Sequence, residues 1–276
     1  MKTLLAVLAH PDDESFGMGG TLALYARQGW QVYLICATRG EAGTVDPEHL
    51  QGHASIADLR ESELRCAAGH LGLQGIIFLN YRDSGMAGSA DNTHPRAHIA
   101  QPLETVAADV LRHLRALKPE VVVTFDPIGG YRHPDHIHIH KATVLAFEKA
   151  SDANYLPEAG EPFQPARLYF HTIPRGFLKI AVKLIRLFGG DPAKWGRNKD
   201  IDLASLAEVD FPTHARINYK SVSEQKTLAS ACHASQGGMQ MRRGILGLVF
   251  RLLGEYDTYM QAYPPVQPGA KIASEL

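Results

Sequence analysis

Cysteine is scarce: Cys36, Cys66 and Cys232 are the three in 276 residues. Widely separated and odd in number, they form neither a disulfide framework nor a Cys-x-x-Cys metal pattern, which suits a reducing, cytoplasmic setting. Long apolar runs are also missing. No stretch approaches the ~18 uncharged apolar residues of a membrane-crossing helix. The apolar run from Leu4 to Leu8 is too short for a secretory leader and is soon followed by Asp12, so a buried first strand is the better reading. Neither charge dominates, since 28 Lys+Arg face 29 Asp+Glu for a formal net charge of -1. That balance gives no overall pull toward nucleic acid or acidic lipid. No Gly-x-Ser-x-Gly elbow occurs, which argues against a serine hydrolase. Gly17-Met18-Gly19-Gly20 lacks the third glycine of a dinucleotide loop. Acidic residues beside it would repel a pyrophosphate, so no nucleotide cofactor is expected.

What is present is ordinary globular composition, with 45% hydrophobic and 21% charged residues, and an unusual stock of 14 histidines. The length exceeds the common ~100–150 residues of a domain but suits one α/β domain of up to ~250 with an insertion. One domain over residues 1–276 is expected, interrupted at about 174–210.

Strand-like and helix-like patterns alternate. Apolar runs at Leu4–Leu8, 31–38, 75–80, Val121–Phe125 and 167–172 read as strands. Helical patterns lie between them at 15–28, 55–71, 102–117 and 135–149, with Gly29 and Gly72 as stops. This alternation predicts an α/β fold, a Rossmann-like, doubly wound and mostly parallel sheet. Further on, helices are expected from Ala215 to Cys232 and from Gly244 to Leu253.

Two loops carry the chemistry. The first strand runs into Ala9-His10-Pro11-Asp12-Asp13-Glu14, and Val121–Phe125 leads to Gly129-Gly130-Tyr131-Arg132-His133-Pro134-Asp135-His136. Loops at the carboxyl ends of parallel strands are where ligands bind in such sheets. Together they offer His10, Asp13 and His136 as three metal ligands, leaving the open position that a hydrolytic zinc site needs for water. Asp12 is placed as a general base. His133 precedes a proline, which keeps it off the helix, and Asp135 is placed to fix its tautomer or raise its pKa. Blander readings stay open at this point. The carboxylates of residues 12–14 would also suit a helix amino end, and His136 and His140, four apart, would share a helix face either as a ligand pair or as solvated surface with His138.

These motifs resemble the signature of the LmbE/PIG-L family of metal-dependent N-acetylglucosamine de-N-acetylases. The resemblance extends to Thr38-Arg39-Gly40-Glu41-Ala42-Gly43, to Arg60-Glu61-Ser62-Glu63-Leu64, and to a late His-x-Ser-Gln at 233–236. Arg82 through Gly88 and Asp126 through Tyr131 are most similar to the mycothiol-pathway branch of deacetylases and amidases. The likeness implies Zn2+, with Fe2+ as the alternative, held by His10, Asp13 and His136. It implies Asp12 as base, and His133 as oxyanion stabiliser and acid tuned by Asp135. Arg60 and Asp83 would hold the sugar, and Tyr131 would swing over the acyl group. Arg132 departs from the pattern, where that deacetylase branch has glycine.

The expected activity is a zinc-dependent hydrolysis of the acetamide of an N-acetylglucosamine-type sugar. An amidase for a mycothiol-type thiol conjugate is the close alternative, and a non-catalytic metal- or sugar-binding module is the distant one. The partner is then a small N-acetylated amino sugar, with no nucleic acid. The segment 177–188 is mostly apolar, with Lys179, Lys183 and Arg186 on one helical stripe. Its apolar side needs cover from its own chain, from a second subunit or as a lid, or from a membrane. Three basic residues give no stable membrane anchoring, and a homo-oligomer stays open. Leu184→Glu is expected to disturb folding or assembly.

Overall fold

The computed structural model describes residues 1–196, 199–238 and 255–276. Its first half follows the alternation. Strand β1 (Thr3–Leu8) leads through two short helices, α1 (Asp13–Phe16) and α2 (Gly19–Arg27), to β2 (Gln31–Thr38). Helix α3 (Ile56–Leu71), β3 (Gly75–Tyr81), α4 (Leu103–Leu117) and β4 (Val121–Phe125) come next. The irregular turn α5 (Gly129–Arg132), α6 (Pro134–Lys149) and β5 (Arg167–Thr172) complete the parallel part. Then come α7 (Arg175–Leu187), α8 (Leu203–Leu206), β6 (Ala215–Asn218), α9 (Ser223–Cys232) and β7 (Tyr256–Tyr263).

The strands form one seven-stranded sheet in the order β3-β2-β1-β4-β5-β7-β6. The first five are parallel, with Leu4 opposite both Val32 and Val121. β7 runs antiparallel to its neighbours β5 and β6. Every residue of β1 and of β4 is buried, as central strands covered on both faces must be. Helices α4 and α6 pack together on one face, and α2, α3 and α9 on the other. The strand order reverses between β1 and β4. That is the switch point of a doubly wound sheet, where the crevice for a ligand opens, and the two motif loops leave from these two strands.

Helix ends match their local chemistry. Ser55 caps α3 by accepting from the Asp58 amide, and Gly72 closes it at φ 73°. His133 is extended, as the residue before Pro134 should be, and caps α6 by accepting the Asp135 amide.

Several expectations need correction. The helix expected from 15 to 28 is broken at Gly17-Met18, so that α1 serves the site while Leu22 and Tyr25 of α2 face the core. The helix expected from Ala215 begins only at Ser223. Residues 215–218 alternate buried and exposed with a period of two, a strand pattern too short to outweigh the helical run after it. β7 was not expected at all, because its buried Asp257, paired with Lys226 and with Thr21, reads as polar surface in sequence. Its partner strands also lie far along the chain. The helix expected at Gly244–Leu253 lies outside the described residues. Finally, Cys66 and Cys232 are bonded to each other across 166 residues. α3 and α9 pack side by side and bring their Cα atoms to 5.9 Å, which no spacing in the sequence announces. The argument for a reducing compartment from unpaired cysteines is thereby removed, and only Cys36 is a free thiol. No helix among the described residues is long and apolar enough to cross a membrane.

Around α7 a small second cluster forms. Leu178 and Val182 of α7 and Leu206 and Ala207 from the α8 region are buried together, against Ile128, Tyr131, Ile173, Ile201 and Leu203. Leu184 is only half-buried, so the residues that seat the helix are one stripe away from the one singled out in the sequence.

Candidate active site

The two motif loops meet above the ends of β1 and β4. His10 Nδ1 lies 3.1 Å from His136 Nε2. An Asp13 oxygen lies 3.3 Å from His136 Nε2, and the other 3.6 Å from His10 Nδ1. Ligands about 2.0–2.2 Å from a tetrahedral zinc stand roughly 3.3–3.5 Å apart, so the spacing fits a small divalent ion. The far side of each imidazole strengthens the fit. His10 Nε2 is held 3.1 Å from the Asp135 carboxylate, and His136 Nδ1 3.2 Å from the Gly129 carbonyl. Donating there leaves Nδ1 of His10 and Nε2 of His136 with free lone pairs pointing at each other and at Asp13. Such carboxylate and carbonyl partners are what orient metal-binding histidines.

The electrostatics agree. Burial and the neighbouring His10 push the His136 imidazole down to about 4, so it is neutral, the form that ligates. Burial works against a charge on Asp13, but the His136 and His10 imidazoles and the hydrogen bonds from His10 hold it well below the usual carboxylate range. Burial also opposes a charge on His10, yet Asp83, Asp13 and Asp135 together raise it well above an ordinary histidine. The carboxylates call for positive charge at this point, and a proton or a metal ion would supply it.

Asp12 sits at the rim with φ 116°, a strained backbone for a residue with a side chain. Its amide donates to Glu14, and its carboxylate receives Arg60 Nη2 at 3.0 Å. Burial, assisted by Asp13, pushes the Asp12 carboxyl up to about 7 against the pull of Arg60. A base poised near neutrality is the useful kind.

Arg60, expected to hold sugar, is buried beneath the first motif loop and the loop after β2. Its Nη groups donate to the carbonyls of Gly40 and Pro11 as well as to Asp12. Gly40 has φ 69°, and a Cβ there would lie 1.9 Å from the guanidinium, so glycine alone permits this approach. Asp83 likewise turns inward, 3.4 Å from His10 Nε2 and accepting the Gly85 amide.

His133 lies in the loop, as expected, with its ring 4.5 Å from that of His10. The Asp135 carboxylate binds His10, Ser84 and His98 and its charge draws the His133 pKa upward, while its backbone amide donates to His133 Nδ1. That fixes the tautomer, because with Nδ1 accepting, the proton is on Nε2. Burial, with His10 and His136 nearby, pushes His133 down to about 3, so it serves as a neutral hydrogen-bond donor and not as an imidazolium acid. The ring atoms of His10, His133 and His136 that can ligate all fall within 4.8 Å of one another. Tyr131 stands over this group with its ring 4.9 Å from that of His136. Gly129, Gly130 and Arg132 around it all have positive φ. Arg132 thus keeps the backbone of a glycine, with its side chain exposed at the rim.

Sequence reasoning missed a layer behind these residues. Buried Glu14 accepts from His233 at 2.7 Å, and buried Glu63 accepts from both the amide and the hydroxyl of Ser235. The only signals were the late His-x-Ser-Gln and a third carboxylate in the first loop. His140 binds the Phe125 carbonyl and stays outside the metal group, and it is buried, so it is neither a ligand nor the surface residue of the alternative reading.

Comparison with known proteins gives relatives at the level of sequence and of fold. A 1D-myo-inositol 2-acetamido-2-deoxy-alpha-D-glucopyranoside deacetylase from Rhodococcus jostii is 38% identical over 85% of this chain and 82% of its own length. Among solved structures, N,N'-diacetylchitobiose deacetylase from Pyrococcus horikoshii superposes with a TM-score of 0.65 at 20% identity, covering 97% of this chain and 87% of that one. A 4-carboxy-2-hydroxymuconate hydratase from Pseudomonas putida superposes with a TM-score of 0.63 at 20% identity, covering 98% and 100%. At such identities the structures speak for the fold alone, and one fold here hosts two chemistries. The pattern described as PIG-L, GlcNAc-PI de-N-acetylase, matches residues 5–147, and with the Rhodococcus relative it shows that the chain belongs to that family.

Proposed function

We propose that the chain removes the acetyl group from an N-acetylglucosamine-type sugar conjugate by hydrolysing its acetamide, releasing acetate and a free amine. The observation that carries this reading is the convergence of His10 Nδ1, His136 Nε2 and Asp13 on one point, with Asp12 beside them. His10, Asp13 and His136 would hold a zinc ion. When bound, the metal lowers the pKa of its water to about 7 and polarises the carbonyl.

The chain's own groups do the rest. Asp12 takes the proton from the attacking water and returns it to the departing nitrogen. Arg60 holds Asp12 in place and limits its rise in pKa. The Nε2 proton of His133 is offered to the oxygen on which charge develops, and the amide of Asp135 keeps that proton on the correct nitrogen. Tyr131 covers the acyl group, and Arg132 at the rim faces whatever the sugar is attached to. The name of the Rhodococcus relative supports an inositol-linked amino sugar as the substrate class. Acetate release from a panel of N-acetylglucosaminides, with and without a chelator, tests the reading. No release from any of them with metal supplied would overturn it.

A further inference from the structure

Helix α7 presents three stripes. Leu178 and Val182 face inward, against the turn that carries Tyr131. Lys179, Lys183 and Arg186 form the next stripe, and Ile180, Leu184 and Leu187 the one after it, each at i, i+4 and i+7. The outer apolar stripe is uncovered: Leu187 is 75% exposed, Phe188 just past the helix 66% and Ile180 40%. The three basic residues beside it have no acidic partner among the described residues, although Arg175 of the same helix pairs with Asp210. The sequence from 162 to 190 contains no Asp or Glu, so the local charge is of one sign while the whole chain is nearly neutral.

We propose that this outer face of α7 docks reversibly on an anionic phospholipid surface. An apolar stripe flanked by cations is the arrangement of helices that lie in the membrane interface, the apolar side chains entering the acyl boundary while the basic ones meet headgroup phosphates. A second copy of the chain suits the face poorly. A two-fold contact sets the same patch against itself, which would stack Lys183 and Arg186 on their own copies with no carboxylate on the helix to relieve them. Lipid phosphates satisfy the apolar and the basic stripe together. Because the inner face of α7 packs on Ile128 and Tyr131, docking brings the rim of the catalytic crevice close to the lipid. One helix with three cations makes this contact weak and releasable.

The test is co-sedimentation of the full, metal-loaded protein with vesicles of phosphatidylcholine alone, or of phosphatidylcholine and phosphatidylglycerol in equal parts. Binding is expected to the mixed vesicles only and to fall with added salt. Each basic side chain near such a surface contributes about fivefold in affinity, so Lys179→Gln with Lys183→Gln should weaken binding roughly 25-fold. Leu187→Ser with Phe188→Ser should abolish it. Both double variants are expected to keep the wild-type melting temperature and the wild-type turnover of a soluble substrate. Failure to bind mixed vesicles, equal binding to phosphatidylcholine alone, or full binding by either variant would overturn the proposal. So would a concentration-dependent dimer in sedimentation velocity that Leu187→Ser with Phe188→Ser dissolves, which would give the face to a second copy. Turnover of soluble substrate reads the catalytic proposal separately.

Discussion

The carboxylate of Asp135 is 3.1 Å from Nε2 of His10, while toward His133, its neighbour but one in sequence, the hydrogen bond comes from the Asp135 backbone amide. The carboxylate thereby crosses from one motif loop to the other and leaves Nδ1 of His10 to face His136 and Asp13.

Asp135→Asn should therefore act through the metal. Loss of such an outer partner typically costs about 10–100-fold in metal affinity. Competition with a calibrated chelator measures it, and unchanged affinity would detach Asp135 from the site.

His136→Ala removes one of three protein ligands and should empty the site of most of its metal, read as ions per chain by atomic spectroscopy. Undiminished content would remove His136 from the ligand set.

Asp12→Asn should retain the metal and lower kcat by ~10²–10⁴, the span of a general-base contribution. Asp12 works as a base only when deprotonated, so activity should fall as pH drops through its pKa. That pKa is pushed up to about 7 by burial, and a cation bound beside it would lower it, placing the acid limb of kcat/KM at or below neutrality. A pH profile identical in Asp12→Asn would assign the limb to another group.

His133→Ala should slow turnover and leave metal occupancy intact, because Nδ1 is already engaged by the Asp135 amide. If the variant loses its metal, His133 is the ligand and the roles assigned within the second motif are reversed.

Leu178→Ala in α7 should destabilise by about 2–5 kcal/mol, the range for truncating a buried leucine, seen as a lower melting temperature. Leu184→Glu, half-buried on the next stripe, should cost less. Equal losses would mean that the helix is seated differently.

The parallel half of the sheet was legible because its strands are short, mostly apolar runs, rich in Val, Leu and Ile in β1 and β4, separated by helical patterns and turn signals. The convergence of His10, Asp13 and His136 could be anticipated because their loops follow β1 and β4, neighbouring strands at the switch point, although His136 lies eleven residues past the end of β4. What stayed hidden depends on contacts between distant segments. Arg60 looked like a sugar-binding cation until its Gly40 and Pro11 carbonyl partners were seen. Glu14 needed His233, and β7 needed β5 and β6, each more than 35 residues away or across a turn of the chain. Local pattern carries no information about such pairings.

The bond between Cys66 and Cys232 has a topological result. α3 supplies Arg60 and Glu63, and α9 ends at the His233 and Ser235 that bind Glu14 and Glu63. The bond closes a covalent ring through both, and the ring holds β3, β4, β5 and the entire segment around α7. A protease that cuts once inside it, at an exposed turn such as Gly189-Gly190, would yield two peptides that still migrate as one species without reductant. The nicked molecule would keep the wall of the crevice and the second motif loop covalently joined.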